Sequence, residues 1–238
     1  MIPGNSAGRK NENLEQLEWG AMVSGGDCQW FEDEFQNYWI NGFCLTFIAG
    51  KPADLVKDIL HFQGALNIES EDPQQLFMAS LHDVEKGSII LELGGHAGYQ
   101  KRIADLLSQD TRIVIIAHFI MGSPKFAYVE NGILVCGFGI TDPDSRGGRS
   151  PDFLLPNLTA VGLLPTIDYP EPESEEEEAE LDERAAQEES DQMFQAISIA
   201  TQLTGVPFTR QLMKNPRHHL LLANLQVAGN GEVFAVIF

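Results

Sequence analysis

The chain has 238 residues, 43% hydrophobic and 21% charged, enough to bury a sizeable core without disulfide or metal cross-links; wholesale disorder, collagen and coiled-coil rods are excluded. Fifteen Lys and Arg stand against 35 Asp and Glu, a formal net charge of -20. Such a surface repels nucleic-acid phosphate and anionic lipid and attracts basic partners, so neither a nucleic acid nor a membrane is an expected partner.

Residues 1–17 are polar, without the apolar core of a secretory signal, and read as a disordered leader; one domain is expected over 18–238. Trp30, Phe31, Phe35, Tyr38 and Trp39 then recur at helical spacing, which predicts a helix of about three turns with a core-facing aromatic side. After the turn Asn41-Gly42, the run Phe43 to Ile48 is almost uniformly apolar and predicts a strand covered on both faces. Pro52 and Asp54 open a helix whose Leu55, Val56, Ile59 and Leu60 form one stripe, with Gly64 as its stop. Pro73 with Leu76, Phe77 and Leu81 allows a short helix.

Ser88 to Leu93 reads as a strand that runs into Gly94-Gly95-His96-Ala97-Gly98. A short helix with Ile103, Leu106 and Leu107 follows, then a strand over Thr111 to Ile120. Asn131-Gly132 between two apolar segments is the clearest hairpin signal, because a type I′ turn needs positive φ at both central residues. From Thr141 to Thr166, prolines and glycines predict a loop with a short helix around Phe153 to Leu164.

Between Asp168 and Asp191 there are 13 acids and one base, Arg184, with the run Glu175, Glu176, Glu177, Glu178. Like charges repel and little is left to bury, so residues 168–190 are expected to form a flexible acidic insertion. Ser190 is placed to cap the next helix, which buries Met193, Phe194, Ile197, Ala200 and Leu203 and ends at Gly205. Pro207-Phe208-Thr209 starts a further short helix carrying Leu212 and Met213, and Val233 to Phe238 has strand composition behind the turn Ala228 to Gly231. Together these elements predict an α+β fold: a mainly antiparallel sheet of about four to six strands, with helices packed on one face.

The chemistry-bearing candidates are few. Gly94, Gly95 and Gly98 lie between a strand and a helix, where backbone amides can cradle a phosphate or carboxylate, although neither G-x-G-x-x-G nor a P-loop is present. Glu92 and His96 flank that turn, and with His118 they would make a general acid/base set if their strands were neighbours. Against this, a histidine in an apolar strand is commonly a hydrogen-bonded core residue. His218-His219 lacks a third ligand at metal-site spacing, so no metal or other cofactor is expected. Cys28, Cys44 and Cys136 are an odd number without C-x-x-C spacing, which fits a reducing, cytoplasmic setting; Cys44 and Cys136 sit in strands as inert buried thiols. Ser145 to Ser150 is the one basic island.

Several segments resemble an uncharacterised bacterial family, domain of unknown function 6461. They are Gly42-Phe43-Cys44-Leu45-Thr46-Phe47-Ile48, the turn Gly50-Lys51-Pro52, Phe126-Ala127-Tyr128-Val129-Glu130-Asn131-Gly132, and Leu203-Thr204-Gly205-Val206 before a threonine-led helix. The resemblance implies a strand, Gly turn, short helix, strand and hairpin in that order, and brings no catalytic residues. The chain departs from the family pattern at Lys51, at the Gly-Gly-His-Ala-Gly turn and in the acidic insertion.

The composition and the absence of a catalytic motif point to a non-enzymatic cytoplasmic protein-binding module. Its most concrete form is an immunity-type protein that neutralises a basic toxin or other basic protein through the acidic run Glu175 to Glu178. The alternative is a small-ligand or nucleotide sensor, or a hydrolase, built on residues 92–98.

Overall fold

The computed structural model describes residues 28–62, 76–94, 97–120, 122–164 and 174–223. The expected leader, Gly64, Pro73, Gly95, His96, the turn at Ala228 and the strand at Val233 lie outside the described residues. Among the described residues, eight strands form one sheet, in the order β7-β6-β5-β4-β1-β3-β2-β8, and all neighbours are antiparallel. The class is α+β, as the pattern of elements predicts, with more strands than the four to six expected.

Strand β1 (Phe43–Ala49) lies between β3 (Gly87–Leu93) and β4 (Arg112–Phe119). All seven of its residues are buried, which accounts for its unbroken apolar run. Phe43, Leu45 and Phe47 point to one face of the sheet and Cys44, Thr46 and Ile48 to the other. Each face therefore needs a cover, and the helices lie on both faces rather than on one.

The Phe43 face is covered by α1 (Gln29–Glu34), α5 (Leu155–Val161), α6 (Glu175–Thr204) and α7 (Arg210–Lys214), whose Phe31, Leu158, Met193, Phe194, Ile197 and Met213 join its core. The Cys44 face is covered by α3 (Ala53–Phe62) and α4 (Lys101–Leu107) through Val56, Leu60, Ile103 and Leu107. The aromatic segment is two short helices, α1 and α2 (Gln36–Asn41), because the backbone breaks at Phe35, φ -115 and ψ 33. Phe31 still contacts Phe35, Trp39 and Phe43.

The hairpin of β5 (Gly122–Glu130) and β6 (Ile133–Gly139) turns at Asn131 and Gly132 with φ 51 and 75, the left-handed pair that a type I′ turn demands. Two segments differ from the sequence reading. Residues expected as a short helix around Leu76 to Leu81 are strand β2 (Leu76–Val84), since the turn at Glu85-Lys86 folds them back onto β3. Asp142–Gly147, expected as loop, is the edge strand β7, paired only at Gly137–Gly147 and Gly139–Asp142. Pro143 is tolerated there because an edge strand needs fewer donors. At the opposite edge, β8 (His218–Ala223) pairs with β2.

Strand β2 is tied to α7 by a buried histidine. His82 Nδ1 lies 3.0 Å from the Leu212 carbonyl oxygen and its Nε2 lies 2.7 Å from Ser80 Oγ. Burial drives the imidazole down from 6.5 to about 4, so the folded state holds it neutral. The unfolded chain binds the extra proton as pH falls below about 6.5. Stability from this group is thus complete above that pH and is lost on the way to about pH 4, on the order of 3 kcal/mol in all. Urea denaturation at pH 7 and at pH 4.5 should show this loss, and His82→Gln should flatten the dependence while lowering stability at pH 7.

Candidate functional site

Glu92 has no exposed surface. It sits opposite Cys44 on β1 and Ala79 on β2, on the face covered by α3 and α4. A carboxylate in such a place needs donors, and the chain supplies one by returning through a 3-10 turn at Ala97–Tyr99, where the Gly98 amide donates to Glu92 Oε1 at 2.8 Å. The turn lies so close to β1 that a Cβ on Gly98 would stand 2.2 Å from Thr46 Oγ1 and 3.2 Å from Glu92 Oε1. Burial, reinforced by the Glu92 carboxylate, pushes the Cys44 thiol well above its ordinary range. Cys44 is thus an inert thiol in this surrounding, and Cys136, pushed up to about 11 by burial, donates its S–H to the Pro151 carbonyl.

The glycine turn spends its amides inside the protein. Gly98 donates to Glu92, and Gly94 donates to the Gly42 carbonyl at 2.8 Å. Neither is directed at an anion from solvent, so the phosphate-cradle reading draws no support from these two residues. Gly95 and His96 lie outside the described residues.

Glu92 and His118 do not come together. β1 separates their strands, and the register places Glu92 beside Cys44 but His118 beside Phe43, so the side chains leave the sheet on opposite faces. The His118 ring stacks on Phe43 with centroids 5.4 Å apart and lies 5.4 Å from Trp39. Its Nε2 is 3.3 Å from Glu189 Oε1 on α6. His118 is a packing residue that ties α6 to the end of β4.

The acidic segment is ordered differently from the expectation. Ser174, not Ser190, caps the helix, accepting from the Glu177 amide at 3.2 Å, and α6 runs unbroken for 30 residues. The segment 175–190 is therefore helix rather than flexible insertion. Ser190 instead sits mid-helix and donates to Glu32 Oε2 of α1 at 2.7 Å.

Before Ser190 the helix is largely open to solvent. Glu177, Glu180, Asp182, Glu183 and Arg184 are exposed, whereas Met193, Phe194, Ile197 and Ala200 are buried. Glu175 to Glu189 carries nine acids and one arginine over about 22 Å of helix. A groove of about 550 Å³ between this half and α1 is lined by Glu32, Glu180, Glu183, Arg184, Gln187 and Ser190. Glu32 was not among the sequence candidates, because only the packing of α1 on α6 brings it to the acidic helix.

The remaining candidates are engaged within the fold. His218 Nε2 lies 2.6 Å from Asp54 Oδ1, and Arg217 reaches the same carboxylate at 3.4 Å, joining β8 to the start of α3. These contacts hold the Asp54 carboxyl below its usual range. In the basic island, Arg146 pairs with Asp144 and Asp152 at 3.2 and 3.4 Å. No group of three or more His, Cys, Asp or Glu among the described residues could hold a metal ion, and no helix there is long and apolar enough to cross a membrane.

These features define an α+β protein with one antiparallel sheet covered on both faces, a buried carboxyl at its centre and a half-exposed acidic helix. Residues 21–227 match the model of a family of unknown function, DUF6461, and the chain belongs to that family. No curated protein and no solved structure matches it significantly.

Gly98→Ala should destabilise the protein by about 2 kcal/mol, because the new methyl meets Thr46 Oγ1 in a packed interior. Thr46→Ala removes that oxygen and should recover part of the loss. Denaturant titration of the two single variants and the double variant measures the coupling.

Proposed function

We propose that the chain is a protein-binding module that captures a basic partner, most concretely an immunity-type protein that neutralises a basic toxin in the cytoplasm. The carrying observation is the first half of α6, where Glu177, Glu180, Asp182 and Glu183 are held exposed on a capped helix whose second half is buried in the core. A rigid acidic surface of this kind accelerates the encounter with a cationic protein and selects against anionic ones, because charges fixed in position lose little entropy on docking. The groove beside α1 adds Glu32, oriented by hydrogen bonds from Gln29 and Ser190 at 3.0 and 2.7 Å.

The chain is expected to bind the basic members of a defined protein panel at low ionic strength and to ignore the acidic ones. Glu180→Lys with Glu183→Lys exchanges two exposed charges and should weaken that binding at least about tenfold without lowering the melting temperature. About 0.5 M salt should have the same effect on the wild type. Binding of basic proteins that is unchanged by both treatments would remove the acidic helix from the mechanism.

A further inference from the structure

On β2, Met78, Ser80 and His82 share one face, and their exposure falls from 58% at Met78 to 8% at Ser80 and 0% at His82. Helix α7 shelters the histidine, so Ser80 stands at the border between core and solvent. His219, directly opposite Ser80 on β8, is exposed on the open side.

The hydrogen bonds assign the proton positions. A carbonyl oxygen only accepts, so His82 Nδ1, 3.0 Å from Leu212 O, carries the ring hydrogen. In the neutral ring Nε2 is then a lone pair, and the Ser80 hydroxyl at 2.7 Å donates to it. The serine proton is directed at a base, the base is oriented by a third group, and the oxygen lone pairs of Ser80 are turned away from the imidazole. This is the order of nucleophile, base and orienting group found in acyl-transfer sites, with a backbone carbonyl in place of the usual carboxylate.

We propose that Ser80 is a nucleophile for acyl transfer, activated by His82 and taking small apolar acyl groups from activated esters. Attack forms a bond between Ser80 Oγ and the acyl carbon and breaks the bond from that carbon to the leaving oxygen. The serine proton passes to His82 Nε2 and then to the departing alkoxide or phenolate, which restores the neutral imidazole. Water repeats the sequence in reverse roles and releases the carboxylic acid. Met78 supplies an apolar contact beside the nucleophile on the open side. The site is remote from the acidic helix, so it stands or falls apart from the proposed capture of a basic partner.

The full chain is incubated with p-nitrophenyl acetate and, separately, with an alkyl fluorophosphonate, and adducts are located by intact and tandem mass spectrometry. One adduct per chain on Ser80 is expected with each reagent and none in Ser80→Ala; acylation by p-nitrophenyl acetate releases a burst of one equivalent of p-nitrophenolate before hydrolysis, and phosphonylation releases one equivalent of fluoride. His82→Gln should slow the labelling at least about 100-fold, while Ser80→Ala, which leaves the buried His82 Nε2 without its donor, should still fold with a melting temperature lowered by a few degrees. Should His82→Gln fail to fold, the wild-type pH profile decides: because the buried imidazole titrates at about 4, the rate should be flat from about pH 6 to 9 and fall below about pH 5. An unlabelled Ser80, equal labelling of a folded His82→Gln variant, or a rate that rises with a midpoint near pH 7 would each overturn the proposal. A hydroxyl that merely holds the His82 ring in place against α7 gives the first of these results.

Discussion

Strand β1 is paired on both edges and buried on both faces, and most of the architecture follows from that constraint. Seven consecutive buried residues require two hydrogen-bonding neighbours and two layers of cover. β3 and β4 satisfy the backbone, α6 and the aromatic helices cover Phe43, Leu45 and Phe47, and α3 with α4 covers the opposite face. An antiparallel sheet often leaves one face wet, but this one cannot, because its central strand alternates apolar with apolar.

The same constraint explains the carboxyl of Glu92, the one buried deep in the fold among the described residues. Glu92 pairs across from Cys44, where water cannot reach, so a donor has to come from the chain itself. The 3-10 turn brings the Gly98 amide to it, and only a residue without a side chain allows the turn to approach Thr46 so closely. Thus a glycine-rich segment with the position of a ligand cradle works as an internal cap for a buried acid. The raised thiol of Cys44 is a further consequence of the same burial.

Helix α6 joins two different environments in one element. Its later half buries Met193, Phe194 and Ile197 against the sheet, and its earlier half carries most of the local acidity into solvent. Stability from the buried half extends to the exposed half, since helix propagation adds a hydrogen bond for each residue ordered once a nucleus exists. Ser174 closes the free end by accepting from the Glu177 amide. A segment that composition alone assigns to a linker therefore becomes a helix that exposes Glu177, Glu180, Asp182 and Glu183. The ties from Glu189 to His118 and from Ser190 to Glu32 mark where the helix passes from core to solvent.

Local signals were legible in the sequence wherever local physics decides. The Asn131-Gly132 hairpin, the apolar run of β1 and the Gly205 stop depend on backbone dihedrals and side-chain period, and the structure has each of them; of the stripe expected on α3, Val56 and Leu60 are buried and Ile59 partly so, but Leu55 is exposed. β2 and β7 were not legible, because their pairing partners, β3 with β8 and β6, define them more than their own residues do. For the candidate site the sequence determined which acids and histidines the chain possesses, and hence its charge. Only the tertiary structure decided their company: it set Glu92 and His118 on opposite faces, brought Glu32 to the acidic helix and joined Ser80, His82 and Leu212. Strand alternation and register act across the sheet, so residue spacing along the chain carries no record of which side chains will meet.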